Sequence, residues 1–139
     1  MAEKTFRRML ADRWIDTVTV DSAGTAAMPH YAIVGVLKDV MDEKNVDYFG
    51  HIPKMVDDSL LSSSDIVIVM AAGHLNYIRM MYPEYADRTY LISSYAQGLD
   101  KDVPDPIGCG KDVYVRVFEE IAGYLEKIME KITNGTKNN

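Results

Sequence analysis

Apolar residues follow helical spacing along about half of this 139-residue chain. Where they recur every three or four positions, they predict helices over about residues 2–13, 30–44, 73–81 and 112–132, and a short helix over 56–63. Most of the remaining chain carries strand-like or polar patterns, so the predicted helices are separated rather than continuous.

Three stretches between the helices predict strands. Residues 17–21 alternate apolar and polar, 65–70 are apolar throughout like a strand buried on both faces, and 88–93 form a shorter apolar run. Strands that alternate with helices predict an α/β fold with a three-layer, doubly wound parallel sheet. We expect one domain over residues 1–133 and a polar, disordered tail over 134–139.

Composition narrows the possible partners. A net charge of −6 argues against a nucleic-acid or anionic-membrane partner, and no apolar run approaches the roughly 18 residues of a membrane span. The single cysteine, Cys109, excludes an internal disulfide and predicts a reducing, cytoplasmic setting. The three histidines have no metal-ligand spacing, and we expect neither a metal nor a cofactor.

Asp105 is the clearest candidate for chemistry. It lies between Pro104 and Pro106, ahead of the last predicted helix. Each proline fixes its own φ, and Pro106 also moves Asp105 out of the α region, so the carboxylate is on a stiff, extended loop. A general acid needs such a fixed geometry, although an ordinary Pro/Asp turn before a helix remains an alternative.

Five segments, taken in chain order, resemble one known family over essentially the whole chain. They are Met1-Ala2-Glu3, Asp21-Ser22-Ala23-Gly24-Thr25, Gly50-His51, the apolar strand 65–70, and Pro104-Asp105-Pro106. The family is that of the low molecular weight protein tyrosine phosphatases. In it, Met-Ala-Glu ends the run Cys-x5-Arg-Ser-Pro-Met-Ala-Glu, in which the phosphate-binding loop enters the first helix.

The resemblance implies a sheet of strand order 2-1-3-4 and hydrolysis of a phosphorylated protein or small phosphomonoester through a cysteinyl-phosphate intermediate. By this likeness Asp105 protonates the leaving group and then acts as base on water. Ser22 and His51 resemble residues that brace the phosphate loop by hydrogen bonds. Without the family, Ser22 reads as a strand-ending turn and His51 as an ordinary loop histidine.

The family's first strand and its Cys-x5-Arg loop are not found in these 139 residues. Cys109 follows the acid loop, and the position six residues later is Val115, so we expect Cys109 to be a packing residue or part of the turn. We therefore expect the chain as given to be inactive. Its start has been placed too late, or it is a non-catalytic pseudophosphatase or binding module; an unrelated flavodoxin-like domain is a third alternative.

The substrate is also left open. Where tyrosine-specific members carry two aromatic residues after Asp-Pro, this chain has Ile107-Gly108, closer to bacterial members that resemble protein-arginine phosphatases. Phosphotyrosine, phosphoarginine and a small phosphoester are all candidates.

A sheet without its first strand leaves unpaired backbone groups on the strands beside the gap. We expect one of three outcomes. Thr17–Asp21 pairs directly with Asp65–Met70, or a neighbouring molecule lends a strand, giving a possible dimer through the incomplete sheet, or the chain is marginally stable and prone to aggregate.

Overall fold

A computed structural model describes residues 1–28, 30 and 32–137. The chain divides into two compact units. The first unit contains Met1–Met55 and Asp105–Ala122, and the second contains Val56–Pro104 and the chain from Gly123 onward. The expectation of a single domain over residues 1–133 stays a prediction.

Three helices build the first unit: α1 (Ala2–Asp12), α2 (Gly35–Glu43) and the first part of α6 (Lys111–Lys137). Their apolar faces supply a buried cluster of Val40, Met41, Val46, Tyr114 and Phe118. This core joins residues from both segments of the unit, so α6 holds the region after Asp105 against α2.

Helix α2 is shorter than predicted. The pattern predicts a helix from His30, but the helix begins at Gly35, because Val34 is extended with φ −65° and ψ 148°. The β-branched pair Ile33-Val34 loses side-chain freedom in a helix, which favours an extended lead-in. Tyr31, inside the predicted helix, lies outside the described residues.

The strand predicted over Thr17–Asp21 is wrong. In the described part of the first unit, the one strand-like pairing is an isolated parallel bridge between Gly24 and Met55. The Val20 carbonyl instead accepts from the Arg7 guanidinium of α1 at 2.6 Å. A β-strand requires a second strand that pairs with its backbone N–H and C=O groups. The Arg7 side chain satisfies one carbonyl and does not replace such a strand. Direct pairing of this segment with Asp65–Met70, which needs a strand here, is therefore also wrong.

The second unit contains the sheet. Strands β1 (Val67–Val69) and β2 (Thr89–Leu91) are parallel, with Val67 opposite Thr89 and Val69 opposite Leu91. Three short helices lie in this unit, together with the rest of α6: α3 (Asp58–Ser62), α4 (Ala72–Met81) and α5 (Ile92–Gln97). The parallel pairing predicted from the sequence is confirmed.

Several element ends in this unit differ from prediction. The strand predicted to Ser93 stops at Leu91, because Ile92 opens α5. This helix is capped after Gln97 by Gly98, which has a left-handed φ of 70°. A 3₁₀ helix over Pro83–Arg88 begins with proline, whose fixed φ suits a first helical turn.

Helix α6 is longer than the pattern predicts. It continues to Lys137 rather than ending near Ile132, so residues 134–137, predicted to be disordered, are helical. Asn138 and Asn139, the rest of that predicted tail, lie outside the described residues. The predicted stripe is largely correct: Val117, Ile121, Leu125 and Ile128 are buried, and Val113 is half-buried.

Candidate active site

A buried carboxylate joins two of the predicted site residues. Glu3, in the first turn of α1, is only 8% exposed. Its Oε2 accepts a hydrogen bond from the Ser22 hydroxyl and lies 3.7 Å from Nδ1 of His51, while Oε1 lies 2.9 Å from the Arg7 guanidinium. A buried carboxylate needs such partners because desolvation of an unpaired charge is costly. The structure therefore places Ser22 and His51 on one anchor, and Glu3 is that anchor.

His51 is held toward its neutral form. Burial lowers the pKa of this imidazole, and the positive charges of the N-terminal amine, Lys4 and Lys54 lower it further, while Glu3 opposes them. At 3.7 Å the Nδ1 to Oε2 separation exceeds a hydrogen bond, so Glu3 acts on His51 mainly through its charge. A neutral imidazole offers one N–H donor and one acceptor nitrogen to a neighbouring group.

A cavity of about 200 Å³ opens beside this cluster. It is lined by Ser22, Ala23, Gly24, Ala27, His51, Pro53 and Lys54. The Lys54 ammonium lies 2.5 Å from a carboxylate oxygen of Asp21, and this hydrogen bond is the main cause of a lowered Asp21 pKa. The cavity thus presents a hydroxyl, an imidazole and a lysine ammonium whose charge is paired with Asp21. These groups suit hydrogen bonding to a loop or a small polar group.

Gly24 keeps the cavity wall close-packed. A Cβ at this position would lie 3.0 Å from the Cβ of Ala27, tighter than side chains normally approach. The Gly24 N–H also donates to the Lys54 carbonyl at 2.9 Å, which joins two segments of the lining.

Asp105 lies on a tight, exposed turn of the same unit. Its Oδ1 accepts from the Ile107 N–H at 3.1 Å, and the Pro106 carbonyl accepts from the Cys109 N–H at 2.9 Å. Gly108, at the third position of this turn, has a left-handed φ of 78°, a backbone conformation that favours glycine. The result is a solvent-accessible carboxylate on a restrained backbone, as a proton donor and acceptor requires.

Tyr114, in the first turns of α6, is the buried neighbour of this turn. Burial raises the pKa of its phenol, and the nearby Asp105 and Cys109 raise it further. Cys109 itself is exposed. Of the two roles expected for Cys109, the place in the turn is therefore confirmed and the packing role is wrong.

The structure does not join Asp105 to the Glu3 cluster. Across residues 1–28, 30 and 32–137, no hydrogen bond or ion pair links Asp105 to Glu3, Ser22 or His51. Sequence reasoning assigned no role to Glu3, because an acidic residue in a first helical turn is normally a solvated one. The available signal was its place in the Met-Ala-Glu run, at the start of the helix whose first turn meets Ser22.

The described residues contain no cluster of three or more metal-ligating side chains. Nor does any helix within that part of the chain combine the length and apolar character needed to cross a bilayer.

A parallel sheet flanked by helices and a Pro-Asp-Pro turn ahead of the last helix define an α/β protein with a candidate acid–base site. A family model described as low molecular weight phosphotyrosine protein phosphatase matches residues 1–138, and the chain belongs to this family.

Curated relatives include both kinds of phosphatase. A protein-arginine-phosphatase from Geobacillus stearothermophilus is 26% identical over 124 residues, which cover 89% of this chain and 83% of that protein. A low molecular weight protein-tyrosine-phosphatase from Streptomyces coelicolor is 28% identical over 142 residues, covering 95% of this chain and 87% of the relative.

Solved structures agree on the fold. The low molecular weight protein tyrosine phosphatase from T. tengcongensis is 30% identical with a TM-score of 0.88, covering 94% of this chain and 88% of that one. The YwlE arginine phosphatase from Geobacillus stearothermophilus has a TM-score of 0.91 at 23% identity, covering 99% and 86%, and shows the fold alone. The α/β fold class and the family resemblance predicted from the sequence are confirmed.

Proposed function

We propose that this domain serves the hydrolysis of phosphomonoesters on proteins, with Asp105 as the general acid and base. The observation that carries the proposal is the family match through the acid loop, together with an exposed Asp105 carboxylate held between two prolines. The family's nucleophile is a cysteine thiolate in a Cys-x5-Arg loop, and these 139 residues contain no such run.

The proposed reaction has two balanced steps. The thiolate attacks phosphorus, the bond from phosphorus to the leaving oxygen breaks, and protonated Asp105 gives its proton to that oxygen. Water then attacks phosphorus, Asp105 takes a proton from the water, and the sulfur–phosphorus bond breaks to release phosphate and the thiolate. Asp105 ends as it began, so one carboxyl group serves both steps.

Ser22 and His51 are proposed to brace the phosphate loop rather than to touch substrate. Their common contact with the buried Glu3 supports this role, because it fixes two hydrogen-bonding groups at the edge of one cavity. A loop that binds phosphate through backbone N–H groups works best when its conformation is set in advance.

The chain as given is proposed to be inactive by itself. Cys109 is its one cysteine, lies in the turn after Asp105 and is followed six residues later by Val115. The same observation favours a second candidate function, a non-catalytic module that binds phosphorylated partners. We propose a reducing, cytoplasmic setting for either one.

The proposed substrates include phosphoarginine, a phosphoramidate rather than a phosphomonoester. In its first step the phosphorus–nitrogen bond breaks, and Asp105 gives its proton to the leaving guanidinium nitrogen. Ile107-Gly108 after Asp105-Pro106 leaves no aromatic wall at that position to pack on a phosphotyrosine ring. The protein-arginine-phosphatase relative points the same way. Phosphotyrosine is the competing substrate, since the Streptomyces coelicolor relative is a protein-tyrosine-phosphatase.

Activity with and without the nucleophile loop tests the proposal. The chain as given and a version extended at its N-terminus by the family's strand and Cys-x5-Arg loop are assayed with an aryl phosphate, phosphotyrosine and phosphoarginine. We expect turnover only in the extended version, abolished by replacing its added cysteine with serine. Turnover by the chain as given that depends on Cys109 would overturn the assignment. Phosphopeptide binding by the 139-residue chain itself, together with no turnover by a folded, extended version, would favour the binding module.

A further inference from the structure

Helix α4 is capped from a distance. Its N-cap residue, Ala71, has no side chain that can bond the free N–H groups of the first turn. Instead Oδ1 of Asp102 accepts from the Ala72 N–H at 2.8 Å, although Asp102 lies 30 residues further along the chain. The residue that caps α4 therefore belongs to the segment leading to Asp105, three positions before it.

A second side chain holds the same segment. Ser93, in α5, is completely buried, and its Oγ accepts from the Lys101 N–H at 3.1 Å. The hydroxyl lies 2.7 Å from the Lys101 carbonyl oxygen and 3.0 Å from that of Leu99. Its single proton is therefore donated to these two carbonyl oxygens. One buried hydroxyl thus satisfies backbone groups at two points of the loop.

The backbone completes the attachment. Val103 is buried, and its N–H donates at 2.8 Å to the carbonyl of Met70, the residue directly after β1. All these contacts lie within the second unit. Pro104 follows with its fixed φ, and Asp105 comes next, so little backbone freedom separates the attached segment from the acid.

We propose that Asp102 and Ser93 are positioning residues for Asp105. Asp102 ties this segment to α4 and Ser93 ties it to α5, while the Val103 N–H joins it to the end of β1. These attachments fix the backbone that leads directly into Asp105. The catalytic consequence rests on the proposed function, whereas the attachment itself does not. Ala71 cannot cap α4, and Asp102 of the loop before the acid caps it instead. Folding of α4 and ordering of this loop are therefore coupled.

A purely structural role for Asp102 would be helix capping, and a second variant separates the two roles. Asp102→Ala removes the carboxylate, and adding Ala71→Ser supplies α4 with a local cap of the usual kind. Asp100→Ala, at an exposed aspartate of the same loop, is the matched control. All three are made in the chain as given and compared with Ser93→Ala.

Amide hydrogen exchange at Val103 and the ¹⁵N heteronuclear NOE at Asp105 and Ile107 measure the attachment. We expect Asp102→Ala and Ser93→Ala to speed Val103 exchange about tenfold, as loss of one hydrogen bond that holds the segment predicts, and to lower both NOE values. Ala71→Ser should restore thermal stability to Asp102→Ala without restoring the loop. The Val46 amide, in the first unit, reports any general loosening.

Full recovery of the loop in the double variant would show that Asp102 is only a helix cap and would overturn the proposal. So would unchanged exchange at Val103 in both single variants. If Ser93→Ala fails to fold, Asp102→Ala alone decides.

Activity supplies the functional consequence. In the extended, active version, Asp102→Ala should lower kcat about tenfold for an alkyl phosphate and leave its KM unchanged. Cysteinyl-phosphate formation from an aryl phosphate should change little, since in that step only the poor leaving group needs the proton. If kcat for the alkyl phosphate falls in Asp105→Asn but not in Asp102→Ala, the positioning role of Asp102 is overturned and the proposed function stands. An alkyl kcat insensitive to Asp105→Asn overturns the proposed function, while the exchange data still decide the attachment.

Discussion

Replacing Glu3 by glutamine tests how much the buried anchor contributes to the first unit. The change keeps the shape of the side chain and removes its charge. Glutamine has one oxygen instead of two, so it cannot accept from both the Ser22 hydroxyl and the Arg7 guanidinium as the carboxylate does. One of the two partners then faces an NH₂ group.

The expected cost follows from these two contacts. A hydrogen bond to a charged group contributes about 1.5–3 kcal/mol against about 1 for a neutral one, so the Ser22 contact loses about 0.5–2 kcal/mol. The Arg7 side chain is 50% exposed, so solvent screens its ion pair, which adds at most about 1 kcal/mol. We expect the free energy of unfolding to fall by about 2 kcal/mol.

Urea unfolding followed by far-ultraviolet circular dichroism measures this loss. Trp14 is 93% exposed and would report poorly by fluorescence. With a urea m value of about 1.5–2 kcal/mol/M, the midpoint should fall by about 1 M. Glu84→Gln, at an exposed glutamate, is the control and should shift the midpoint little. Equal shifts for Glu3→Gln and Glu84→Gln would refute the claim that Glu3 anchors the cluster.

Other changes have equally definite outcomes. Burial gives His51 a pKa in the folded state below the ordinary value of about 6.5. Between the folded pKa and about 6.5 the unfolded state binds more protons, so the free energy of unfolding decreases as the pH falls through this range. His51→Gln should flatten the urea midpoint between pH 7.5 and 5; an unaltered slope would contradict the assigned cause. Gly108→Ala should lower the free energy of unfolding by about 1–2 kcal/mol, because Gly108 has a φ of 78°. Gly123→Ala within α6 should raise it by about 0.5–1 kcal/mol, and equal effects of the two changes in thermal unfolding would argue against strain at the turn. Cys109→Ser should leave kcat of the extended version nearly intact, and complete loss would move the nucleophile to Cys109.

Local pattern predicted the elements whose stability comes from one buried face. The run at 65–70 contains β1, and the stripe from Val117 to Ile128 lies on the buried face of α6. Both signals are periodic and need no knowledge of distant residues. Helix α5 was missed because Ile92–Gln97 spans less than two turns and has no apolar period of its own.

Pairing was harder to predict than periodicity. Residues 17–21 alternate as a strand does, yet a strand exists only where a neighbour supplies its hydrogen bonds, and the sequence does not reveal that neighbour. The same limit applies to Glu3 and Asp102. Their roles depend on contacts with Ser22 and with Ala72, which lie 19 and 30 residues away in the chain.

The central claim is that Asp105 is the general acid of a phosphatase domain, and the dependence of its loss on the leaving group tests it most directly. In the extended version, Asp105→Asn should lower kcat for an alkyl phosphate by about 10²–10⁴-fold, while cysteinyl-phosphate formation from an aryl phosphate with a good leaving group should slow much less. Circular dichroism checks that the variant is folded. An alkyl phosphate kcat that is unchanged by Asp105→Asn would contradict the account.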